Sequence, residues 1–422
     1  MKKWFLWALT AILAAGCANT GSGELVGTAR KRYIEPMPHG MKLVPGGTAV
    51  IGSDSEDAVL WDPNSTTKSI TVNPFYMDET EITNAEYRQF VMWVKDSIIR
   101  RELLMAGYDE FMLNDDDERS AETAALDWRT RIDMRNEDIA DMVRQEMYLP
   151  EEEWLFGKPA LRTERLVFTY EELDLKRAAS GDYGSRRDLI KRTSVPIYPD
   201  TLCWIKDFDY MYNEPVASTY FWHEAYDNYP VVGITWEQAQ AFCAWRTKRL
   251  NDALARMGQR PVFAYRLPSE YEWEFAARGG LDGEKYPWGS EFVKNNKDCF
   301  LANFKPGRGN YSDDGWVLTS QVAQFAPNDY GLYDMAGNVA EWTWTAYDES
   351  AYDIVSDVNP EFRYDAASDD PARLRRKVVR GGSWKDAEYF VRVSTRSYEY
   401  QDSCRSYIGF RCVRDYLGSP RR

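Results

Sequence analysis

The sequence predicts an α+β fold of short strands and a few helices joined by long loops, with a charged, largely helical insertion. Three observations predict it. Helix starts are written as capping boxes at Thr83–Glu86, Thr235–Gln238 and Ser269–Glu272. Short apolar runs punctuated by Gly and Pro, at 41–53 and 75–78, read as strands and turns. Between about 94 and 228 the composition shifts to mixed charge with sparse apolar positions, the mark of a surface insertion.

The 422 residues admit one large domain or two ordinary ones, and 16 Trp with 27 Tyr supply a sizeable core. With 67 Asp+Glu against 52 Lys+Arg the net charge is −15, which argues against a nucleic-acid binder. The basic run at 373–377 reads as a solvated strand edge. Two histidines, His39 and His223, exclude a His-rich metal site. Without a G-x-S-x-G elbow, neither supports a Ser-His-Asp hydrolase.

The first 17 residues combine Lys2 and Lys3 with an apolar stretch too short to span a bilayer, then Leu13-Ala14-Ala15-Gly16-Cys17. That ending resembles a bacterial lipobox with Cys17 as the lipidated residue. Acyl chains contribute about 0.8 kcal/mol per buried CH₂, so two or three of them anchor stably. Ala18 in place of Asp favours the outer membrane, by resemblance to lipoprotein sorting signals. Residues 18–40 are expected to be a flexible tether. Five further cysteines, Cys203, Cys243, Cys299, Cys404 and Cys412, leave at least one without a partner inside the chain, and no C-x-x-C occurs.

In chain order, 41–53 reads as strand, turn, strand, and 75–78 as another strand. Thr83 starts a helix, and 95–105, 127–145 and 168–180 also read as helical. Residues 114–118 are an acidic run, and 181–187 a loop with two glycines. Thr235 caps a helix whose inward stripe is Ala239, Phe242 and Cys243; Ser269 caps another, stopped by Gly279-Gly280. A turn follows at Tyr286-Pro287-Trp288-Gly289. The run 378–412 opens on Val378-Val379-Arg380-Gly381-Gly382-Ser383-Trp384, whose two glycines mark a bend where backbones approach closely, with Gly409 a second such point before Phe410-Arg411-Cys412.

Seven motifs now stand in order: Leu43-Val44-Pro45-Gly46-Gly47, Glu79-Thr80-Glu81-Ile82-Thr83-Asn84, Pro230-Val231-Val232-Gly233-Ile234-Thr235-Trp236, the run from Arg266-Leu267-Pro268-Ser269 to Glu274, the run from Gly331-Leu332-Tyr333-Asp334 to Trp342, Arg380-Gly381-Gly382-Ser383-Trp384, and Gly409-Phe410-Arg411. The series resembles the formylglycine-generating-enzyme (sulfatase-modifying factor) family over roughly 41–93 and 229–413. The resemblance implies a C-type-lectin-like α+β domain with little regular secondary structure, here over 41–417 with an insertion at about 94–228. The lipobox, the Trp61-Asp62-Pro63-Asn64-Ser65-Thr66-Thr67-Lys68-Ser69 segment and the insertion are similar to one branch, the GldK/PorK-type lipoproteins of the Bacteroidetes type IX secretion and gliding machinery. That likeness implies a non-catalytic ring component, lipid-anchored in the outer membrane and facing the periplasm. Its partners would be copies of itself and a GldN/PorN-like ring protein.

By the same resemblance, the enzymes hold copper with a cysteine pair just after Arg-Gly-Gly-Ser. Here 384–392 contains no cysteine, and Ser or Asp cannot replace the soft ligands that Cu(I) needs, so no copper and no oxygenase activity are expected. The resemblance also implies two calcium sets, Asp334, Gly337, Val339 and Glu341, and Asn303, Phe304, Asp314 and Trp316. Oxygen-only ligands of that kind suit a hard cation. The alternative, turn carboxylates hydrogen-bonded without metal, stays open at both. Cys243 and Cys412 match positions that the family links by a disulfide. Trp236, Trp273 and Trp342 are expected in the core. Two other functions are alternatives: a metal-dependent oxidoreductase on exported proteins, and a lectin-like peptide or glycan binder.

Overall fold

Two four-stranded sheets are assembled from segments far apart in sequence. The structure, a computed structural model, describes residues 35–53, 67–113, 124–154, 157 and 159–418. The first sheet runs β1 (Met41–Val44), β4 (Phe75–Asp78), β12 (Val413–Asp415), β7 (Tyr265–Arg266), every neighbour antiparallel. The second runs β10 (Ser397–Tyr400), β9 (Arg376–Arg380), β8 (Ala340–Ala346), β11 (Ile408–Gly409), with β11 parallel to β8. Two hairpins stand apart, β2 (Gly47–Ile51) with β3 (Lys68–Val72), and β5 (Val167–Leu173) with β6 (Ile190–Pro196). The α+β class is as predicted.

The helices form where the caps indicated. Thr83 caps α1 (Asn84–Met105) in a full capping box with Glu86. Further on, α2 (Glu137–Met147), α3 (Leu175–Ser180), α4 (Cys203–Asp207) and α5 (Pro215–Thr219) lead to α6 (Trp236–Arg256), capped by Thr235 and Gln238. Ser269 and Glu272 cap α7 (Glu270–Arg278), and Gly279, at φ 60°, ends it. A last short helix is α8 (Ala351–Ile354). The α1–α6 contact is aromatic: Tyr87 stacks on Phe242 at 5.6 Å, Phe90 meets Trp245 at 5.2 Å, and Phe410 closes on Phe242 at 5.3 Å. Each such pair contributes about 0.5–1.5 kcal/mol beyond its buried area. Trp236, Trp273 and Trp342 are all buried, as expected.

The region 94–228 differs from its predicted form. The first helix runs unbroken through Val94. The helix expected over 127–145 starts only at Glu137. Asp127 accepts from the Arg129 N–H and Asp133 from the Arg135 N–H, and these side-chain turns compete with a helical backbone, whereas Asn136, accepting from the Asp138 N–H, is the N-cap that starts the helix. Of the helix expected over 168–180, only Leu175–Ser180 is helical; the first half is strand β5, paired residue by residue with β6. Val167, Phe168, Thr169 and Tyr170 are β-branched or aromatic and alternate outward and inward, which suits a pleat. "Largely helical" is therefore corrected to mixed. Lys377, read as part of a solvated edge, is buried, with its ammonium 3.9 Å from the Trp236 ring centre. The lipobox with Cys17, the acidic run at 114–118 and most of 61–69 lie outside the described residues. Among the described residues no helix is long and apolar enough to cross a membrane.

Candidate functional site

Arg380 is buried at the end of β9, and a buried guanidinium must be paired and fully bonded. It donates to Glu274 of α7, to the Tyr352 hydroxyl at 2.9 Å, and to the carbonyls of Ser394 and Thr395 at 2.9 Å each. Glu274 also accepts from Arg278 and from the Gly52 N–H at 2.8 Å. Burial alone would raise the Glu274 carboxyl, but Arg380 and Arg278 outweigh it and hold it below the usual carboxylate range. Glu270 and Arg396 form a second buried pair alongside, at 2.7 and 3.0 Å.

This ionic core pins the turn that follows. Gly381 has φ 89°, and a Cβ there would sit 3.1 Å from the Trp273 ring; Gly382 has φ 65°, and its Cβ would meet the Phe390 carbonyl at 2.5 Å. Both positions therefore require glycine.

Beyond the turn the side chains bond to one another. The Ser383 hydroxyl donates to Asp386 Oδ2 at 2.6 Å, and Lys385 Nζ to Asp386 Oδ1 at 2.8 Å. The same ammonium lies 4.0 Å from the Tyr407 ring centre. Ser383 is fully buried. The polar atoms here are hard oxygens and an ammonium with their bonds already made, a set unsuited to a soft Cu(I) ion.

Trp384 faces the other way and is covered. Trp204 stacks on it at 6.0 Å and 25°, and Phe208 meets it at 5.2 Å. Cys203, Met211, Val216, Ala217 and Tyr220 complete this cluster with Val232 and Val339. The segment from α4 to α5 is thus an aromatic lid over the Arg-Gly-Gly-Ser loop. The sequence places this segment only within the surface insertion, because nothing local in Cys203-Trp204-Ile205 indicates which distant ring it meets.

The residues of the first calcium set come together around a buried carboxyl cluster. Asp334, at φ 55°, accepts from the Ala323 N–H through Oδ2, while its buried Oδ1 has no donor. Glu341 has both oxygens engaged, by Arg411 at 2.6 and 2.7 Å and by Trp273 Nε1 at 2.7 Å. Gly337 approaches Asn303 so closely that a Cβ would stand 2.2 Å from its carbonyl oxygen. The donor set fits a cation at the Asp334 end and not at Glu341. Glu81, fully buried, joins the cluster without a donor of its own. As two carboxylates Glu81 and Asp334 only accept, so the charge on one opposes ionisation of the other. Burial and Asp334 push the Glu81 carboxyl well up. Sequence reasoning quoted Glu81 within a motif and gave it no role.

In the second set, Asp314 accepts from the N–H of Phe304 at 2.9 Å and of Trp316 at 3.1 Å. Asn303 donates to the Leu318 carbonyl, but its buried Oδ1 has no donor. A buried amide oxygen without a donor suits a hard cation, and burial raises the Asp314 carboxyl. Among the described residues no group of three or more His, Cys, Asp or Glu side chains is placed to hold a metal. Either site would therefore draw on carbonyl and amide oxygens. The sulfurs of Cys243 and Cys412 face each other at 3.5 Å as thiols, both buried. His223 is an N-cap, accepting from the Ala225 N–H.

Comparison with known proteins points to one family. The family model for the sulfatase-modifying factor enzyme 1-like domain matches residues 28–416. The Bos taurus protein named inactive C-alpha-formylglycine-generating enzyme 2 is 29% identical over 379 residues, 88% of this chain and 87% of its own length. The formylglycine-generating enzyme of Thermomonospora curvata is 36% identical over 196 residues, 45% of this chain and 57% of its own length. Among solved structures, PvdO from Pseudomonas aeruginosa aligns over 89% of this chain and 94% of its own, with a TM-score of 0.49 and 16% identity.

Proposed function

The chain belongs to the family of sulfatase-modifying factor enzyme 1-like domains, and on that premise we propose that it is a non-catalytic, structural member. One observation carries the proposal. After Ser383, where the family resemblance puts the copper thiolates, Ser383, Lys385 and Asp386 satisfy one another, and Trp384 beside them is roofed by Trp204 and Phe208. The full-length similarity to a relative named inactive points the same way.

The finer proposal is a lipoprotein anchored through Cys17 in the outer membrane. Copies stand side by side in a periplasmic ring with a second ring protein, as part of the type IX secretion and gliding machinery. The lipobox and the motif likeness to that branch support it, and the net charge of −15 is in keeping with a protein rather than a nucleic-acid partner. Calcium is proposed as a structural cofactor, held by the Asn303 and Asp314 side chains with the Phe304 and Trp316 carbonyls. Asp334, with the Gly337 and Val339 carbonyls, would be the weaker site.

The tests separate the two levels. Cu(I) titration against a chromogenic chelator, with oxygen uptake in parallel, should show no tight binding and no consumption; stoichiometric copper with turnover would overturn the non-catalytic assignment. Purification from membranes should bring down a stoichiometric partner, and deletion should stop export of secreted cargo. A freely monomeric lipoprotein with normal secretion in its absence would overturn the ring assignment alone.

A further inference from the structure

Cys203 and Cys404 lie about 200 residues apart in sequence, one in the lid and one in the Arg-Gly-Gly-Ser half of the domain, yet both border the same few atoms. The Cys404 thiol donates to Asp200 Oδ2 at 3.4 Å, and the Cys203 N–H donates to the Asp200 carbonyl at 3.3 Å. Gly233 lies between them. Its N–H donates to the carbonyl of Arg405, next to Cys404, at 2.9 Å, and its carbonyl accepts from the Asp200 N–H at 2.7 Å. A Cβ on Gly233 would come within 2.9 Å of the Cys203 sulfur. The two backbones are also stitched together one turn further on. Asp207 accepts from the Ser406 N–H and hydroxyl at 2.7 and 2.8 Å and from Arg405 at 3.1 Å.

We propose that Cys203 and Cys404 are a second cysteine pair, closed as a disulfide when the chain folds in an oxidising compartment, so that the lid is fastened covalently over the Arg-Gly-Gly-Ser loop. The oxidant is a small-molecule disulfide. A thiolate of the pair attacks it, forming a mixed disulfide and releasing one donor thiolate. The second cysteine of the pair then attacks the mixed disulfide at the protein sulfur and releases the other. The donor gains two electrons, and the two thiol protons leave with its thiols. Metal binding is a poorer use of the pair, because Asp200 and Asp207 are already engaged by Lys206, Arg405 and Ser406.

The surroundings suit a structural bond more than a switch. Burial, with Asp200 next, pushes the Cys404 thiol up to about 12, and burial raises Cys203 as well. Few thiolates exist in the folded reduced state, so exchange there is slow and closure belongs to folding. A neutral disulfide carries no such burial penalty. The bond would also leave Cys299, which is exposed, as the odd cysteine of the mature chain.

The test does not depend on the proposed function. The full chain is produced in an oxidising compartment or refolded with a glutathione redox couple, alkylated under denaturing conditions and digested with trypsin without reductant. Peptides 193–206 and 397–405 each hold one of the two cysteines and no other. They should appear joined, and separate on reduction. Cys404→Ser should lower the thermal midpoint of the oxidised protein and leave that of the reduced protein nearly unchanged. Recovery of both peptides as alkylated free thiols, from a sample in which Cys243 and Cys412 have paired, would overturn the proposal. So would pairing of either cysteine with Cys299.

Discussion

Arg411 grips both oxygens of Glu341, Nη2 to Oε1 at 2.6 Å and Nε to Oε2 at 2.7 Å, with both side chains sealed from solvent. The pair joins β8 to the segment between β11 and β12, tying the two large sheets. Breaking one half of a buried pair leaves a charge uncompensated, which costs about 3–5 kcal/mol. Glu341→Gln should lower the urea unfolding free energy by that order, equally with calcium and with EDTA. A loss seen only with calcium would make Glu341 a metal ligand first and a salt bridge second.

Calcium should act through the other loop. Binding to the folded state alone adds about 2.7 kcal/mol at a hundredfold excess over Kd. EDTA should therefore lower the thermal midpoint of the wild type, and Asp314→Asn should abolish that sensitivity. An unchanged midpoint in EDTA would remove calcium from the account of Asn303 and Asp314.

Acid should stabilise the carboxyl cluster before it destabilises the fold. Burial, with Glu341 adding to it against Arg411, pushes the Asp334 carboxyl up to about 6, and Glu81 is raised too. A carboxyl whose folded pKa exceeds its unfolded value near 3.9 binds its proton more tightly when folded. Its contribution is present in full below the unfolded value and is lost as pH rises through about 6. In EDTA, the unfolding free energy should fall by on the order of 1–3 kcal/mol between pH 5 and pH 7. Glu81→Gln should flatten that slope. A flat wild-type profile would show that neither carboxyl is raised in the folded state.

Oxidation should join Cys243 to Cys412, whose sulfurs are already in contact across 169 residues of chain. A bond closing so long a loop contributes about 3–5 kcal/mol. Cys412→Ser should cost that much in oxidised protein and far less in reduced protein. Equal losses in both states would assign the effect to packing, since Cys412 is buried in the main core.

Much of the fold was legible because its signals are local. The boxes at Thr83, Thr235 and Ser269 each bond within three residues, and Gly279, Gly381 and Gly382 declare left-handed backbone whatever lies around them. The family motifs, and the missing cysteines after Ser383, are likewise continuous strings. Harder were segments whose conformation depends on a partner elsewhere. Phe168–Leu173 looks helical until Ile190–Pro196 offers its edge. Lys377 looks solvated until Trp236 covers its ammonium.

The sequence by itself determined the fold family, the main helix starts and the loss of the thiolate pair, because each is carried by residue identity at short range. Tertiary structure alone decided that Trp204 and Phe208 roof Trp384, that the Asp334 charge opposes ionisation of buried Glu81, and that Cys404 comes to Asp200 at the edge of the lid. Those contacts join positions up to some 250 residues apart. Burying apolar rings and pairing desolvated charges are collective gains of the whole core, and no single stretch of chain encodes them.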